Sequence, residues 1–314
     1  MSKLLRADFV RLFRSKPFFI FCAIIAAFSV YLNIGHSVSL NTLNADYAIL
    51  PFELLIYFSF AVTTAVSFFA GVNFSDGIIR NKLSSGYSKT EIYLANLTVC
   101  AVISAVFSVL YMTGGIWLVV YKKMNAATFI THILAGTAVA VSFSALGSAV
   151  TFVCRSKAVP IVVSAVIILT MCLGANLLHN KLDEPEYNRE IETINGISVE
   201  GAEGFVYGND DEVTFKTVKN DKFLPGGTKR TLLESLYRFI PAAQAIEISE
   251  VSYWSDTPDT VYRMENRGVD NFGDNAEITS PFDAFKTVDP FYCLIFQIIV
   301  TLAGIMIFRK EDLN

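Results

Sequence analysis

Asn73-Phe74-Ser75-Asp76-Gly77-Ile78-Ile79-Arg80-Asn81-Lys82-Leu83-Ser84-Ser85-Gly86-Tyr87-Ser88-Lys89-Thr90-Glu91-Ile92-Tyr93 is a polar and basic island between two apolar runs, each long enough to cross a bilayer. Its turn and capping residues stand in the order short helix, break, long helix. Ser75 or Asp76 is placed to cap a short helix over about Asp76 to Leu83 that carries Ile78, Ile79 and Leu83. Ser84-Ser85-Gly86 supplies residues that end such a helix. Ser88-x-x-Glu91 is a capping box that starts the next one. The pattern predicts a short amphipathic helix held at the membrane face by two spans.

The rest of the chain agrees with a membrane setting. With 314 residues, 53% hydrophobic content and a mean hydropathy of +0.47, it is too apolar for an ordinary soluble domain. Several helices of about 20 residues fit within that length. The net charge of -4 conceals an asymmetry: bases collect at the N-terminus and in short loops, acids in one long polar segment. That distribution argues against nucleic acid as a partner. Cys22, Cys100, Cys154, Cys172 and Cys293 all lie in or at the ends of apolar runs, which suggests neither a disulfide framework nor a cysteine metal site. The N-terminus resembles no cleavable signal.

Leu5, Phe9, Leu12 and Phe13 share one face of a helix over residues 3–16, with Lys3, Arg6, Arg11 and Arg14 largely opposite and Asp8 near the edge of the apolar face. Two readings stand: a helix lying in the cytoplasmic interface, or positive-inside charges flanking the first span. Both put the N-terminus inside. Six spans are expected, at about 18–34, 50–72, 97–120, 129–153, 158–178 and 291–308. The loop with Asp46 carries no Lys or Arg and falls outside. Lys122 and Lys123 break the charge rule mildly, outweighed by Arg80, Lys82, Lys89, Arg155 and Lys157 on the inner side. Arg309-Lys310 returns the C-terminus to the cytoplasm.

Gly136, Ala140, Ser144 and Ser148 recur every fourth residue in the fourth span, a small face that lets another helix approach closely. Packing explains that face better than a substrate path. Glu53, near the outer end of the second span, is the acid within the apolar runs, either a functional group or one that reaches interfacial water.

Between His179 and Asp289 lies a polar segment with about twice as many acids as bases, extracytoplasmic by topology. Ile197-Ser198-Val199, Gly204-Phe205-Val206-Tyr207 and Val213 to Val218 alternate as strands of a small antiparallel sheet, with turns at Asn209-Asp210-Asp211 and Asn220-Asp221. A helical stretch follows from about Thr228 to Glu250, kinked or broken by Pro241. Ser252 to Thr287 reads as loop with short elements. The fold class expected is therefore mainly α: a polytopic membrane protein with six transmembrane helices, an N-terminal interfacial helix, and a mixed α+β extracytoplasmic domain between spans five and six. Its divisions are 1–178, with the short helix within 75–86, then 179–289, then 290–314.

Several chemistries lack their residues. Gly226-Gly227-Thr228-Lys229 has neither the spacing nor the side of the membrane for a phosphate loop. Leu83-Ser84-Ser85-Gly86 matches the signature of ABC ATPases only by coincidence, since no nucleotide domain surrounds it. His36, His132 and His179 are dispersed and form no His-Glu-x-x-His pair, so no metal site is expected. Asp270-Asn271-Phe272-Gly273-Asp274-Asn275 reads as a solvated acidic loop rather than a calcium loop.

The island from Asn73 to Lys82 and on through Ser88 to Tyr93 resembles the loop after the second span in bacterial type 2 ABC exporter permeases. Gly304 to Asn314 is similar to that family's C-terminal ending, Lys3 to Lys16 to its N-terminal interfacial helix, and Leu236-Tyr237-Arg238-Phe239-Ile240-Pro241 to a segment ahead of the last span. The resemblance implies a transport subunit, not an enzyme, in a bacterial plasma membrane. Two copies of an ABC ATP-binding subunit would drive it, paired with a second permease copy or a related permease. The chain itself would bind no cofactor; ATP and magnesium would belong to the ATPase. The short helix would be the coupling helix, with Asp76, Ile78, Ile79, Arg80, Lys82 and Leu83 meeting the ATPase: the bases on acidic groups, the apolar residues in a groove. The cargo implied is hydrophobic or peptide-like. The long segment at 179–289 departs from simpler family members and leaves a second reading open: a non-transporting receptor or immunity component that binds an extracellular peptide and signals to an ABC ATPase. A membrane-bound enzyme would need a clustered catalytic set, which the sequence does not offer.

Overall fold

The computed structural model describes residues 2–43, 55–113, 126–184, 186–194, 197–198, 213–254 and 290–310. These are mainly helical. Helices α1 (Ser2–Arg14) and α2 (Lys16–Leu43) meet at Ser15 with a bend of 62°. They are followed by α3 (Leu55–Ser75), the short α4 (Ile78–Ser84), α5 (Lys89–Thr113), α6 (Ala126–Cys154) and α7 (Val159–Leu182). Strands β1 (Tyr187–Ile194), β2 (Ile197–Ser198) and β3 (Val213–Lys219) precede α8 (Thr228–Phe239), α9 (Pro241–Trp254) and α10 (Pro290–Lys310). Among the described residues five helices, α3, α5, α6, α7 and α10, are long and apolar enough to cross a membrane, so this is a multi-pass membrane protein of helical type.

The chain divides into two compact units. The first holds α1 to most of α7, the end of α8, and α9 and α10. Its centre is α6, which packs against α3, α5, α9 and α10. The small-residue face makes this possible: Gly136, Ala140, Ser144 and Ser148 are all buried. A Cβ on Gly136 would overlap Met112 Cε of α5, and one on Gly147 would lie 2.9 Å from Thr63 Cγ2 of α3. Close approach of this kind is how helices associate where hydrocarbon offers no hydrophobic drive. Helices α7 and α10 are less enclosed, with many of their large apolar side chains exposed. Val162, Val166, Leu169 and Leu173 line the exposed side of α7, and Leu294, Ile298, Leu302 and Met306 that of α10.

Helix α1 buries the stripe Leu4, Asp8 and Leu12, while Phe13 is half exposed. The inward face is thus rotated from the Leu5, Phe9, Leu12, Phe13 face expected from periodicity. It contains the acid expected only at the edge. Beyond the bend, Phe18 and Phe21 of α2 meet Phe107 of α5, with ring centroids 5.9 and 6.2 Å apart.

The second unit holds the end of α7, the sheet and most of α8. Its sheet has the order β2-β1-β3, antiparallel throughout, with a bulge in β1 between Ile191 and Thr193. Strands β2 and β3 lie where alternation predicts them. β1, whose Tyr187-Asn188-Arg189-Glu190 start is largely polar, shows no such alternation and is an addition. Arg230 is buried in this unit, donating to Leu224 O (2.8 Å), Leu182 O (3.1 Å) and Glu234 Oε1 (2.8 Å). The helical stretch from about Thr228 to Glu250 is broken where Pro241 predicts, at Ile240, into α8 and α9, because the proline ring removes a backbone donor. Glu53, Gly204 to Tyr207, Asn209 to Asp211 and Asp270 to Asn275 lie outside the described residues, as does most of Ser252 to Thr287.

Candidate functional site

The island folds as short helix, break, long helix, with two changes at its start. Helix α3 continues through Ser75, whose hydroxyl turns back to the carbonyls of Gly71 and Val72, and the Asp76 amide closes on Val72 O at 3.0 Å. Neither residue caps α4. The N-cap is Gly77, at φ +69°, with no side-chain cap bond. Only glycine takes this left-handed conformation without steric cost, and it turns the chain sharply between two helices. The short helix expected from about Asp76 to Leu83 therefore runs from Ile78 to Ser84.

Its end matches the sequence reading. The Tyr87 amide bonds Lys82 O (3.3 Å) and the Gly86 amide bonds Leu83 O (2.9 Å), the paired bonds of a Schellman motif, with Gly86 at φ +86°. Two residues on, the Ser88 amide donates to Glu91 Oε2 (3.0 Å) and the Glu91 amide to Ser88 Oγ (3.2 Å), a reciprocal capping box.

The short helix sits on a core of its own chain. Ile79 is 4% exposed in a cluster with Leu4 of α1, Ile92, Tyr93 and Ala95 of α5, Phe152 of α6 and Phe308 of α10. Leu83 and Tyr87 pack against the same cluster. Phe152 is its hub, with Phe74, Tyr93 and Phe308 edge-on at 5.1, 4.8 and 4.8 Å. The last helix reaches the hub because Gly304 has no side chain: a Cβ there would overlap the Tyr93 hydroxyl and lie 2.7 Å from its Cζ. Ile79, expected to offer its side chain to a partner, is buried within this chain instead, where its apolar area is removed from water. Ile78 is half-buried.

Lys82 is likewise engaged. Its Nζ lies 2.8 Å from both carboxylate oxygens of Asp8, with side-chain exposures of 11% and 7%. The ammonium expected to reach outward instead fastens α4 to α1. The signal for this contact is present in the sequence: Asp8 is the lone acid in an otherwise basic helix, at the margin of its apolar face. What α4 and its flanks leave exposed is Asp76, Arg80, Asn81, Ser84 and Ser85. Of the six residues assigned to a partner, Asp76 and Arg80 face outward fully, and Ile78, Lys82 and Leu83 partly.

One layer deeper runs a polar network that sequence reasoning missed. Arg11 donates to Asn73 Oδ1, Asn73 Nδ2 to Asn96 Oδ1 (2.6 Å), and Asn96 Nδ2 to Ser148 Oγ (3.2 Å). It links α1, α3, α5 and α6, and gives Ser148 of the small face a second role. Two asparagines near the ends of apolar runs are the only sequence trace of it. Beside the network, a partly open cavity of about 290 Å³ lies between α1, α3, α5 and the turn after α6; its lining includes Arg11, Asn73, Asn96, Lys157, Phe68 and Phe69.

The arrangement presents a small polar face carried on helices that share one packed core. Among the described residues, no group of three or more His, Cys, Asp or Glu side chains could hold a metal ion. No protein-family model matches the chain, and neither a curated protein nor a solved structure matches it.

Proposed function

We propose that this chain is the membrane-spanning permease subunit of a bacterial type 2 ABC exporter and that α4 is its coupling helix. The observation that carries the reading is the seating of α4: a helix of seven residues between two long apolar helices, its inner side on the chain's core and its outer side polar. In this reading α2 is the first of six spans and α1 an interfacial helix bent away from it, both termini are cytoplasmic, and residues 179–289 are extracytoplasmic. The permease pairs with a second copy or a related permease and with two ABC ATP-binding subunits, which hold ATP and magnesium. Closure of those subunits pushes on Arg80 and its exposed neighbours, tilting α3 and α5 and exchanging inward for outward access at the permease interface. A hydrophobic or peptide-like substrate leaves the cell in that exchange.

Arg80, exposed on the outer side of α4, is the residue that tests this reading, because Ile79 is buried. The full-length chain is purified from its native membrane, and co-purifying ATPase is measured by mass spectrometry and by ATP hydrolysis of the eluate. Arg80→Glu is expected to remove the ATPase while leaving the melting temperature of the chain unchanged. Purification of the unaltered chain without any nucleotide-hydrolysing subunit overturns the assignment.

A further inference from the structure

The cavity beside the Asn73–Asn96 network combines two features that one ligand class satisfies together. Its inner wall is apolar, from Phe68, Phe69 and Ile103. Its rim carries Arg11 and Lys157, both exposed, and Asp8, whose charge is met by Lys82. The local balance is therefore positive at the level where α1 bends into α2, where α3 ends and where α5 begins.

Both cations are placed by the fold rather than merely present. Arg11 spends one donor on Asn73 Oδ1, which fixes the guanidinium while its remaining N–H groups keep their fork geometry. Lys157 sits in the turn after α6, made by Arg155 at φ +50° and laid across α3 at Gly71. A Cβ on Gly71 would stand 2.9 Å from Lys157 Cα and 3.0 Å from Ser156 O, so a side chain there would displace the turn. The Lys157 ammonium lies 4.8 Å from the centre of the Phe68 ring, held over the cavity wall by a cation–π contact.

We infer that this cavity is a binding site for an anionic phosphate-bearing amphiphile, its phosphate between Arg11 and Lys157 and the start of its hydrocarbon chain along Phe68, Phe69 and Ile103. Guanidinium and ammonium groups bind phosphate oxygens through charge-assisted hydrogen bonds. The cavity volume suits a headgroup with the first part of a chain, near the lower limit of small-molecule sites. Such a ligand would bear on α1, α3 and the turn before α7 at once. The inference rests on the membrane character of the chain and not on the exporter reading.

Spin-labelled phosphatidylglycerol and spin-labelled phosphatidylcholine are titrated against the full-length chain in detergent, and the immobilised fraction is read by electron paramagnetic resonance. Phosphatidylglycerol is expected to bind more tightly than phosphatidylcholine. Arg11→Gln and Lys157→Gln should each weaken it roughly fivefold, and the pair more than either alone. Arg11→Lys, which keeps the charge and loses the fork, should fall between. Equal binding of phosphatidylglycerol by the unaltered chain and by the double variant overturns the site. Inorganic phosphate or glycerol phosphate displacing the lipid at equal concentration also overturns it, because the apolar wall would then contribute nothing.

Discussion

Lys82 Nζ lies 2.8 Å from each carboxylate oxygen of Asp8, so the exposed short helix and the N-terminal helix are joined by a nearly buried ion pair across 74 positions of sequence. Removing one member of such a pair leaves the other charge without its partner, which costs about 3 kcal/mol. Asp8→Ala and Lys82→Ala should each lower the melting temperature of the purified chain, and the double variant should cost clearly less than the two losses added. Additive losses in that cycle would mean the pair is only a contact of position.

Gly304 and Tyr93 supply a second prediction. Tyr93 is fully buried, so its ring cannot swing away from an added Cβ. Gly304→Ala should destabilise by about 2 kcal/mol through overpacking. Tyr93→Phe in that background removes the overlapping hydroxyl and should recover part of the loss, read by denaturant or thermal melts; no recovery would place the clash elsewhere.

The two close glycine contacts of α6 should not be equivalent. At Gly136 the obstructing atom is the end of the Met112 side chain, which is flexible, whereas at Gly147 it is the β-branched Thr63 with its own carbonyl 3.3 Å away. Gly147→Ala should therefore cost about 2 kcal/mol and Gly136→Ala less than about 1 kcal/mol. Melting curves of the two variants, measured side by side, decide the order.

Asn96 is both acceptor and donor in the buried network, bonding Asn73 and Ser148. Interhelical bonds of this kind contribute about 0.6 kcal/mol on average and up to about 1.7 kcal/mol. Asn96→Leu breaks both and leaves the polar atoms of Asn73 and Ser148 to find other partners, so a loss of about 2 kcal/mol is expected by thermal or denaturant unfolding. A neutral outcome would assign the network no part in stability.

Most helices could be read from the sequence because apolar length and punctuation are local signals. The positions of α3, α6, α7 and α10, the stop at Gly86 and the restart at Ser88 all follow from such signals. The start of α4 was not readable, since Ser75 and Asp76 are good caps by type, and the competition that drew Ser75 back into α3 depends on how far that helix propagates. Helix α5 begins at Lys89, well before the apolar run at about 97, because the capping box and the burial of Ile92 and Tyr93 carry it beyond the lipid-length signal. The burial of Ile79 and the ion pair of Lys82 were not readable for a related reason. An amphipathic pattern shows that one face is buried but not in what, and here the answer is the chain's own Leu4, Asp8 and Phe308, distant in sequence.

The Schellman end and the capping box of α4 and α5 have a mechanical meaning. Asp76 and Gly77 alone separate α4 from α3, and Ser85 to Ser88 alone separate it from α5, with most of those amides already bonded. Short joints with bonded amides leave little loop to bend, so a displacement imposed on the outer side of α4 is expected to reach α3, α5 and, through the Lys82 ammonium, α1.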